Sequence, residues 1–269
     1  MMTDTSPAGM RRAIEQSFWE SWLALCTSPR VEVMESEEMI RFATGLPLPP
    51  FNEVMRARLE EQNVDRAIEQ AIEYFAEKKL PWCWTFEEST TPTDLPARLV
   101  ARGFVEDAPE PGMAMDLRGL PKTAGGPKGL AIEKVAGKEL GGEYAEVLAA
   151  GFGMPEAIAR GLGEIISGVP PSAEVRVCGY LGRLEGLPVA TSLLVAAGGV
   201  AGIYNVTTLA ACRGRGIGAA VTLAPLLEAR SWGYRIGSLQ ASQMGYGVYE
   251  RLGFREYYRI RQFVWMAGG

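Results

Sequence analysis

The 269-residue sequence contains no histidine. Catalytic triads that rely on an imidazole base are therefore excluded, and any proton transfer has to use Tyr, Asp, Glu, Cys, Lys, water or the backbone. The four cysteines lie far apart with no Cys-x-x-Cys pair, which excludes the common zinc-binding spacings. We expect no metal site, and we expect these cysteines to be small buried hydrophobic residues in a reducing, cytoplasmic compartment.

The sequence also lacks an excess of basic residues and an uninterrupted apolar run. Its formal net charge is -5, with 22% charged and 47% hydrophobic residues, so we expect neither nucleic acid nor a membrane surface as a partner. The most apolar stretch, residues 188–204, is divided by Gly198 and Gly199, which predicts a buried β-hairpin rather than a membrane span. Near the N-terminus, glutamates interrupt the apolar positions, so the pattern is that of an amphipathic helix rather than a secretion signal.

Hydrophobic periodicity predicts a mixed α/β (α+β) protein with two domains. Residues 119–128 are rich in glycine and proline and show no periodicity, so we interpret them as a linker between residues 1–118 and residues 129–269. The second half has the predicted order β-α-α-β-β-β-α-β-α-β, and the first half contains a helix over residues 65–79 and a strand with the core residues Trp82 and Trp84.

The stretch from residue 202 to residue 220 carries the clearest functional signal. A β-branched strand is followed by three glycines that alternate with Arg215 and Ile217, and then by good helix formers. A glycine-rich turn that opens a helix presents free backbone N–H groups at the positive end of the helix dipole, where a phosphate is stabilised. We therefore predict a phosphate-binding loop.

Three other interpretations of this loop are a dinucleotide-binding turn, a kinase-type phosphate loop and a purely structural turn. Gly214, Gly216 and Ala219 also fit the dinucleotide pattern Gly-x-Gly-x-x-Ala, but five residues separate the predicted strand from Gly214 and no acidic residue ends the next strand. A kinase-type phosphate loop is excluded because Gly-Lys-Ser/Thr is absent. A purely structural turn remains the third interpretation.

Residues 129–266 resemble the GNAT acyltransferase superfamily. Residues 213–218 are similar to its acyl-CoA pyrophosphate loop, and residues 240–254 are similar to its second motif. The resemblance implies acetyl-CoA as co-substrate, held by the loop and by a strand that pairs with the pantetheine arm. The positions that correspond to this cofactor site are Val206, Thr207, Thr208, Arg213, Gly214, Arg215, Gly216, Ile217, Gly218, Ala219 and Ser242.

The resemblance also implies the reaction. An amine attacks the thioester directly in a ternary complex, and Tyr249 matches the position of the tyrosine that protonates the departing thiolate. A tyrosine with a pKa of about 10 can donate to a thiolate whose conjugate acid has a pKa of about 8.5. The base is not identifiable from the residues, since Glu174 fits either the acceptor cleft or a solvated surface.

The first half looks like a degenerate copy of the same fold, so we expect two tandem acyl-CoA N-acyltransferase-like domains with one cofactor site. Residues 95–104 and 245–254 form a weak internal repeat in which Leu99 stands where the second copy has Tyr249. The predicted function is that of an N-acetyltransferase, acting as a monomer or a homodimer. The alternative is a non-catalytic module that binds acyl-CoA or has a regulatory role.

Overall fold

A computed structural model describes residues 1–266 of the chain. Within these residues the seven α-helices are α1 (Pro7–Cys26), α2 (Val64–Lys78), α3 (Leu95–Ala101), α4 (Glu143–Phe152), α5 (Glu156–Ser167), α6 (Ile217–Ser231) and α7 (Tyr246–Leu252). The twelve strands are β1 (Glu32–Glu35), β2 (Ile40–Ala43), β3 (Asn52–Met55), β4 (Trp82–Phe86), β5 (Val105–Glu106), β6 (Glu110–Asp116), β7 (Leu130–Val135), β8 (Arg176–Leu184), β9 (Leu187–Ala197), β10 (Val200–Thr208), β11 (Ile236–Gln240) and β12 (Arg255–Trp265). The predicted mixed α/β class and the predicted element order of the second half are confirmed.

The chain divides into two compact units, and each is made from separated segments. The larger unit contains residues 1–28 and 111–257, and the smaller unit contains residues 29–110 and, among the described residues, 258–266. The linker predicted at residues 119–128 therefore lies inside the larger unit. The chain passes between the units three times. It starts in the larger unit with α1, enters the smaller unit at residue 29, returns to the larger unit at residue 111, and ends in the smaller unit with the last part of β12.

The larger unit contains a sheet with the strand order β7-β8-β9-β10-β11-β6, in which the pairing of β10 with β11 is parallel and the rest is antiparallel. The turn between β9 and β10 is the predicted Gly198–Gly199 pair, with φ of +57° and +81°. Two consecutive positive φ values are typical of the two-residue turns that match the twist of a hairpin. The predicted hairpin is thus confirmed.

Helices cover both faces of this sheet. A Cβ added at Gly202 would lie 2.7 Å from Ser17 Oγ of α1, whereas one at Gly182 would lie 2.9 Å from Val221 Cγ1 of α6. The cross-strand partners of these glycines, Val195 and Ala190, are five residues apart on β9 and so point to opposite faces. Helix α1 therefore lies on one face and α6 on the other. Helix α4 shares the face of α1, because a Cβ at its Gly151 would meet Thr207, whose partner on β9, Thr191, is four residues from Val195.

The smaller unit contains the strands β1-β2-β3-β4 and the end of β12, which pairs with β4 and β5. Its apolar core packs around Trp82 and Trp84, both fully buried, and Phe75 of α2 stacks on Trp82 with the ring centroids 4.5 Å apart. The prediction that the two tryptophans are core residues is confirmed.

The structure adds a strand that the sequence did not predict. Residues 52–55 begin with Asn52 and Glu53, residue types that are depleted in strands, yet both are fully buried in β3. Asn52 Nδ2 donates to the carbonyl oxygens of Leu46, Leu48 and Pro81 at 2.8–3.2 Å. These hydrogen bonds compensate the burial of its amide and fix the preceding proline-rich loop.

Two further observations concern the predictions from composition. Within residues 1–266, no helix combines the length and apolarity required to cross a membrane. All four cysteines are free thiols, with Cys26 and Cys83 buried and Cys178 and Cys212 partly exposed. The two partly exposed thiols depart from the expectation that every cysteine is buried.

Candidate functional site

The centre of the larger unit is a pair of parallel strands that separate. β10 and β11 pair at Ala201 with Gly237 and at Gly202 with Ser238, and the register between them extends no further. On its other side β10 stays paired to β9 as far as Thr208, but the register shifts between Tyr204 and Thr207. Such a bulge bends a strand and increases its twist, so the C-terminal half of β10 turns away from β11.

Asn205 is the residue that makes the bulge. Its φ is +51°, a left-handed conformation that asparagine tolerates better than most residues. The Thr191 hydroxyl donates to the Asn205 carbonyl oxygen at 2.8 Å, which holds the bulged peptide against β9. The gap between β10 and β11 is thus a fixed feature of the sheet.

The three strand residues predicted to contact a cofactor lie beside this gap. Val206 packs against the cluster that contains Ile217 of α6, and Thr207 is buried on the opposite face. The buried Thr207 leaves room only for a glycine on α4, because a Cβ at Gly151 would lie 2.0 Å from Thr207 Oγ1. Thr208 ends the strand next to Gly218, where a Cβ would lie 3.5 Å from Thr208 Oγ1.

The glycine loop joins this strand end to α6. Gly214 and Gly216 adopt φ of +74° and +79°, where a side chain would be strained even though a Cβ would meet no atom within 4 Å. Residues 213–216 are all exposed. Arg213 Nε donates to the Thr208 carbonyl oxygen at 3.0 Å, so this arginine folds back onto the end of β10.

The first turn of α6 contains Ile217, Gly218 and Ala219, of which Ile217 is buried and anchors the helix. Gly216 is the N-cap and has no side chain with which to accept a hydrogen bond from the first turn. The N-terminal N–H groups of α6 and the positive end of its dipole therefore face the loop. This arrangement suits an anion with several oxygens, such as a pyrophosphate.

Tyr249 lies on α7, the short helix that follows β11. Its side chain is only 7% exposed and packs against Phe254 with ring centroids 6.0 Å apart. Burial raises the pKa of Tyr249 to about 12. The hydroxyl is therefore fully protonated at neutral pH and available as a proton donor.

Ser242 and Glu174 have ordinary structural surroundings. Ser242 is exposed, and its Oγ accepts a hydrogen bond from the Gly245 N–H at 3.2 Å at the start of α7. Glu174 is exposed and precedes β8, whose first residue pairs with Ala196, whereas the glycine loop follows Thr208, which pairs with Ala190. Glu174 therefore lies at the end of the sheet opposite to the loop, and the acceptor-cleft interpretation of this residue is not supported.

Sequence reasoning did not single out three polar side chains that lie at or beyond the separation point of β10 and β11. Asn205 Nδ2, Ser238 Oγ and Gln240 Nε2 are shielded from solvent. The Asn205 side chain lies against the Tyr144 hydroxyl, whereas Ser238 Oγ and Gln240 Nε2 have no hydrogen-bond partner within the described residues. Buried polar atoms are ordinarily paired, so each of these needs an explanation. The available signal was the presence of Asn, Ser and Gln inside otherwise apolar strand patterns.

A cavity of about 430 Å³ lies in the same unit but apart from the glycine loop. It is lined by residues of β6, α7 and the start of β12, among them Met113, Tyr246 and Glu250. None of the predicted site residues lines it. The candidate site is therefore defined by the separated strands and the loop, and not by this cavity.

Comparison with known proteins identifies solved structures that share this fold. No protein-family model matches the sequence, and no curated protein matches it. The structure is similar to a GCN5-related N-acetyltransferase from Kribbella flavida, with 20% identity and a TM-score of 0.71 over 96% of both chains. It is also similar to a tandem GNAT protein from the clavulanic acid biosynthesis pathway, with 16% identity and a TM-score of 0.59 over 90% of this chain and 85% of that one.

A third similar structure is a GCN5-related N-acetyltransferase from Sphaerobacter thermophilus, with 16% identity and a TM-score of 0.57 over 85% of this chain and 80% of that one. At these identities the likeness is one of fold. The predicted GNAT fold class is confirmed.

Proposed function

We propose, from the fold shared with GCN5-related N-acetyltransferases, that this protein transfers an acetyl group from acetyl-CoA to an amine. The observation that carries the proposal is the combination, in one unit, of separated parallel strands with an uncapped helix N-terminus at the end of the first strand. A phosphate-bearing ligand bound at that terminus can extend its chain along β10 into the gap.

The loop would hold the pyrophosphate of the co-substrate. Gly214 and Gly216 let the backbone approach it closely, and the N–H groups of Ile217, Gly218 and Ala219 point along the dipole of α6. Arg215, exposed in the loop, would add positive charge. Since Arg213 is folded back onto the Thr208 carbonyl, it would shape the loop more than it contacts phosphate.

The pantetheine arm would run beside Val206, Thr207 and Thr208, with the thioester in the gap. There the backbone N–H groups of β10 that do not pair with β11 can polarise the thioester carbonyl. The amine nitrogen forms a bond to the carbonyl carbon, the carbon–sulfur bond breaks, and the thiolate takes a proton from Tyr249. Solvent then returns a proton to the tyrosine, and the acylated amine releases one to water.

A non-catalytic acyl-CoA-binding module is the second candidate. The presence of a buried, protonated tyrosine on α7 favours the enzyme, because binding alone does not require a proton donor. The two candidates make the same prediction for binding and different predictions for turnover.

Thermal unfolding of the full chain with acetyl-CoA, followed by a thiol-release assay with a panel of amines, tests the proposal. A ligand at one hundred times its Kd stabilises the folded state by about 2.7 kcal/mol, so a clear rise in Tm is expected. Release of free CoA with at least one amine would support the enzyme. A rise in Tm without turnover of any amine would favour the binding module, and no rise in Tm would contradict both candidates.

A further inference from the structure

The cavity of about 430 Å³ between β6, α7 and the start of β12 has no part in the proposed acetyl transfer. Its floor is apolar, because Met113 of β6 and Phe254, which follows α7, are 0% and 1% exposed. Tyr246, half-buried on α7, adds an aromatic wall. Small-molecule sites are typically cavities of roughly 300–1,000 Å³ with mainly apolar and aromatic linings, so this cavity suits an apolar group of a ligand.

The cavity is also lined by charges of both signs. Glu250 lies on α7 four residues after Tyr246 and therefore on the same side of the helix, and Arg255 begins β12. Both residues are exposed, and neither side chain forms a hydrogen bond or an ion pair within residues 1–266. Glu256 adds a second carboxylate. A ligand in this cavity therefore meets a carboxylate for a positive group and a guanidinium for a negative group.

The cavity and the gap between β10 and β11 lie on different sides of β11. Met113 pairs with Leu239 of β11, so the cavity lies on the β6 side of this strand, whereas the gap lies on its β10 side. Phe254 packs against Tyr249 with ring centroids 6.0 Å apart, so its ring separates the cavity from the proposed proton donor. A ligand in the cavity would therefore not occupy the position of the thioester.

We propose that this cavity binds a free α-amino acid with a large apolar side chain. The ammonium group pairs with Glu250, and the carboxylate pairs with Arg255, whose planar guanidinium can donate two parallel hydrogen bonds to it. The side chain packs on Met113 and Phe254, since sulfur and aromatic rings make favourable contacts with a further ring. The inference goes beyond acetyl transfer, because it requires neither acetyl-CoA nor Tyr249.

Matched ligands test the chemical class with the unaltered full chain and no acetyl-CoA. L-phenylalanine is the probe, 3-phenylpropanoate lacks its amine, 2-phenylethylamine lacks its carboxylate, and L-alanine lacks its ring. Titration calorimetry should give a Kd for L-phenylalanine at least about tenfold lower than that for each analogue, because each analogue loses a charged hydrogen bond or the apolar contact. No binding of L-phenylalanine at about 10 mM, or equal Kd values for the analogues, would overturn the inference.

Variants test the residues. Glu250→Gln and Arg255→Gln each remove one charge and keep a polar side chain at an exposed position, so the fold should be retained. The matched controls are Glu174→Gln and Arg251→Gln, the same replacements at exposed positions of the larger unit that do not line the cavity. We expect the first two variants to raise the Kd for L-phenylalanine at least about tenfold and the two controls to leave it unchanged.

Two outcomes would contradict the assignment of the cavity. If all four variants weaken binding equally, or none of them does, the amino acid binds elsewhere. If saturating CoA, which carries no acetyl group to transfer, prevents L-phenylalanine from binding, the amino acid occupies the proposed catalytic gap instead. In both cases the wild-type chain would still be stabilised by acetyl-CoA, which separates failure of this inference from failure of the proposed function.

Discussion

The two units contain the same succession of elements, strand, helix, parallel strand and short helix, with different outcomes. In the smaller unit this succession is β3-α2-β4-α3, and in the larger unit it is β10-α6-β11-α7. Both parallel pairings extend over only two residue pairs. The comparison therefore isolates what distinguishes the proposed ligand site of the larger unit from the corresponding position in the smaller unit.

The short helices correspond closely. Each has seven residues, and a glycine with left-handed φ lies two positions after the end of α3 and one position after the end of α7, with φ of +98° at Gly103 and +100° at Gly253. In each, the N–H of the next phenylalanine donates to the carbonyl oxygen five residues earlier, at 3.2 Å to Leu99 and 3.0 Å to Tyr249. The internal repeat predicted from the sequence thus has matching backbone geometry in the two units, but only one copy carries a proton donor.

The strand ends differ. In the smaller unit the segments that follow β3 and β4 bond to each other, because Thr91 N–H donates to the Ala57 carbonyl oxygen at 3.0 Å and Leu59 N–H donates to that of Thr91 at 3.1 Å. Backbone groups at the position of the gap are therefore satisfied internally. The segment between β3 and α2 also contains no glycine. These features support our proposal that the first half carries no acyl-CoA site.

The largest effect is expected from disrupting the loop. Gly216→Glu forces a side chain into a φ of +79° and places a negative charge beside the proposed pyrophosphate site. Strain and repulsion together should weaken acetyl-CoA binding by about 100-fold or more, measured by titration calorimetry. Gly45→Glu is the matched control, since Gly45 in the smaller unit has a φ of +78° and a Cβ there would also meet no atom within 4 Å. Equal loss in both variants would contradict the assignment of the loop.

The next largest effect, a loss of kcat, is expected from replacing Tyr249, whose counterpart in the smaller unit is Leu99. Tyr249→Phe removes the hydroxyl and keeps the ring that packs on Phe254, so the fold should be retained. Loss of a general acid should lower kcat by about 100- to 10,000-fold with little change in the Kd for acetyl-CoA.

Tyr74→Phe is the control for this replacement, because it removes a tyrosine hydroxyl of the smaller unit that donates to Glu32 at 3.1 Å. It should leave kcat unchanged. A Tyr249→Phe enzyme with wild-type kcat would remove this tyrosine from the mechanism and would make the two short helices functionally equivalent.

A smaller effect appears in the pH dependence. Burial raises the pKa of Tyr249 to about 12, so the acid stays protonated well above the pH at which an ordinary tyrosine, with a pKa of about 10, has lost half its protons. With saturating substrates, kcat should therefore not fall between about pH 8 and about pH 10. A decline centred near pH 10 that is absent from a Tyr249→Phe variant would show that the tyrosine titrates normally.

The sequence predicted what depends on local pattern. The order of elements in the second half, the Gly198–Gly199 turn and the strand–loop–helix at residues 202–220 were all predicted and are confirmed, because each is encoded by periodicity and by residues with positive φ. The position of Tyr249 came from the family resemblance, and its burial could not have been read from a single sequence.

The parts that depend on distant contacts were not predictable. β3 was missed because its first residue, Asn52, is a polar residue whose buried amide is satisfied by the loop that precedes the strand and by Pro81. The compact units also differ from the predicted domains at residues 1–118 and 129–269, since strand pairing places β6 beside β11 and the end of β12 beside β4. The shielded amides at Asn205 and Gln240 depend on where two strands separate, which no local pattern specifies.

The smallest effect should come from the parallel pair of the smaller unit, where Glu53 and Cys83 occupy the first paired position that Ala201 and Gly237 occupy in the larger unit. Glu53 is fully buried, the Thr85 hydroxyl donates to its Oε1, and burial raises the pKa of this carboxyl well above 4.5. Below about pH 4.5 both folded and unfolded chains hold the proton, but as pH rises the unfolded chain releases it first, and the folded state loses stability.

Glu53→Gln abolishes this titration at nearly constant shape, so the variant should unfold at the same temperature as the wild type below about pH 4.5 and at a higher temperature at neutral pH. The rise should be a few degrees, since each kcal/mol shifts Tm by about 2–4 °C in chains of this size. Glu69→Gln, at an exposed position of α2, should shift Tm equally at both pH values. A Glu53→Gln chain that is destabilised at neutral pH would mean that the carboxylate is ionised and paired. The buried carboxylate of Glu53 would then stabilise the smaller unit. Our prediction is the reverse, namely that its burial lowers the free energy of unfolding, a loss that the apolar pair Ala201 and Gly237 of the larger unit does not incur.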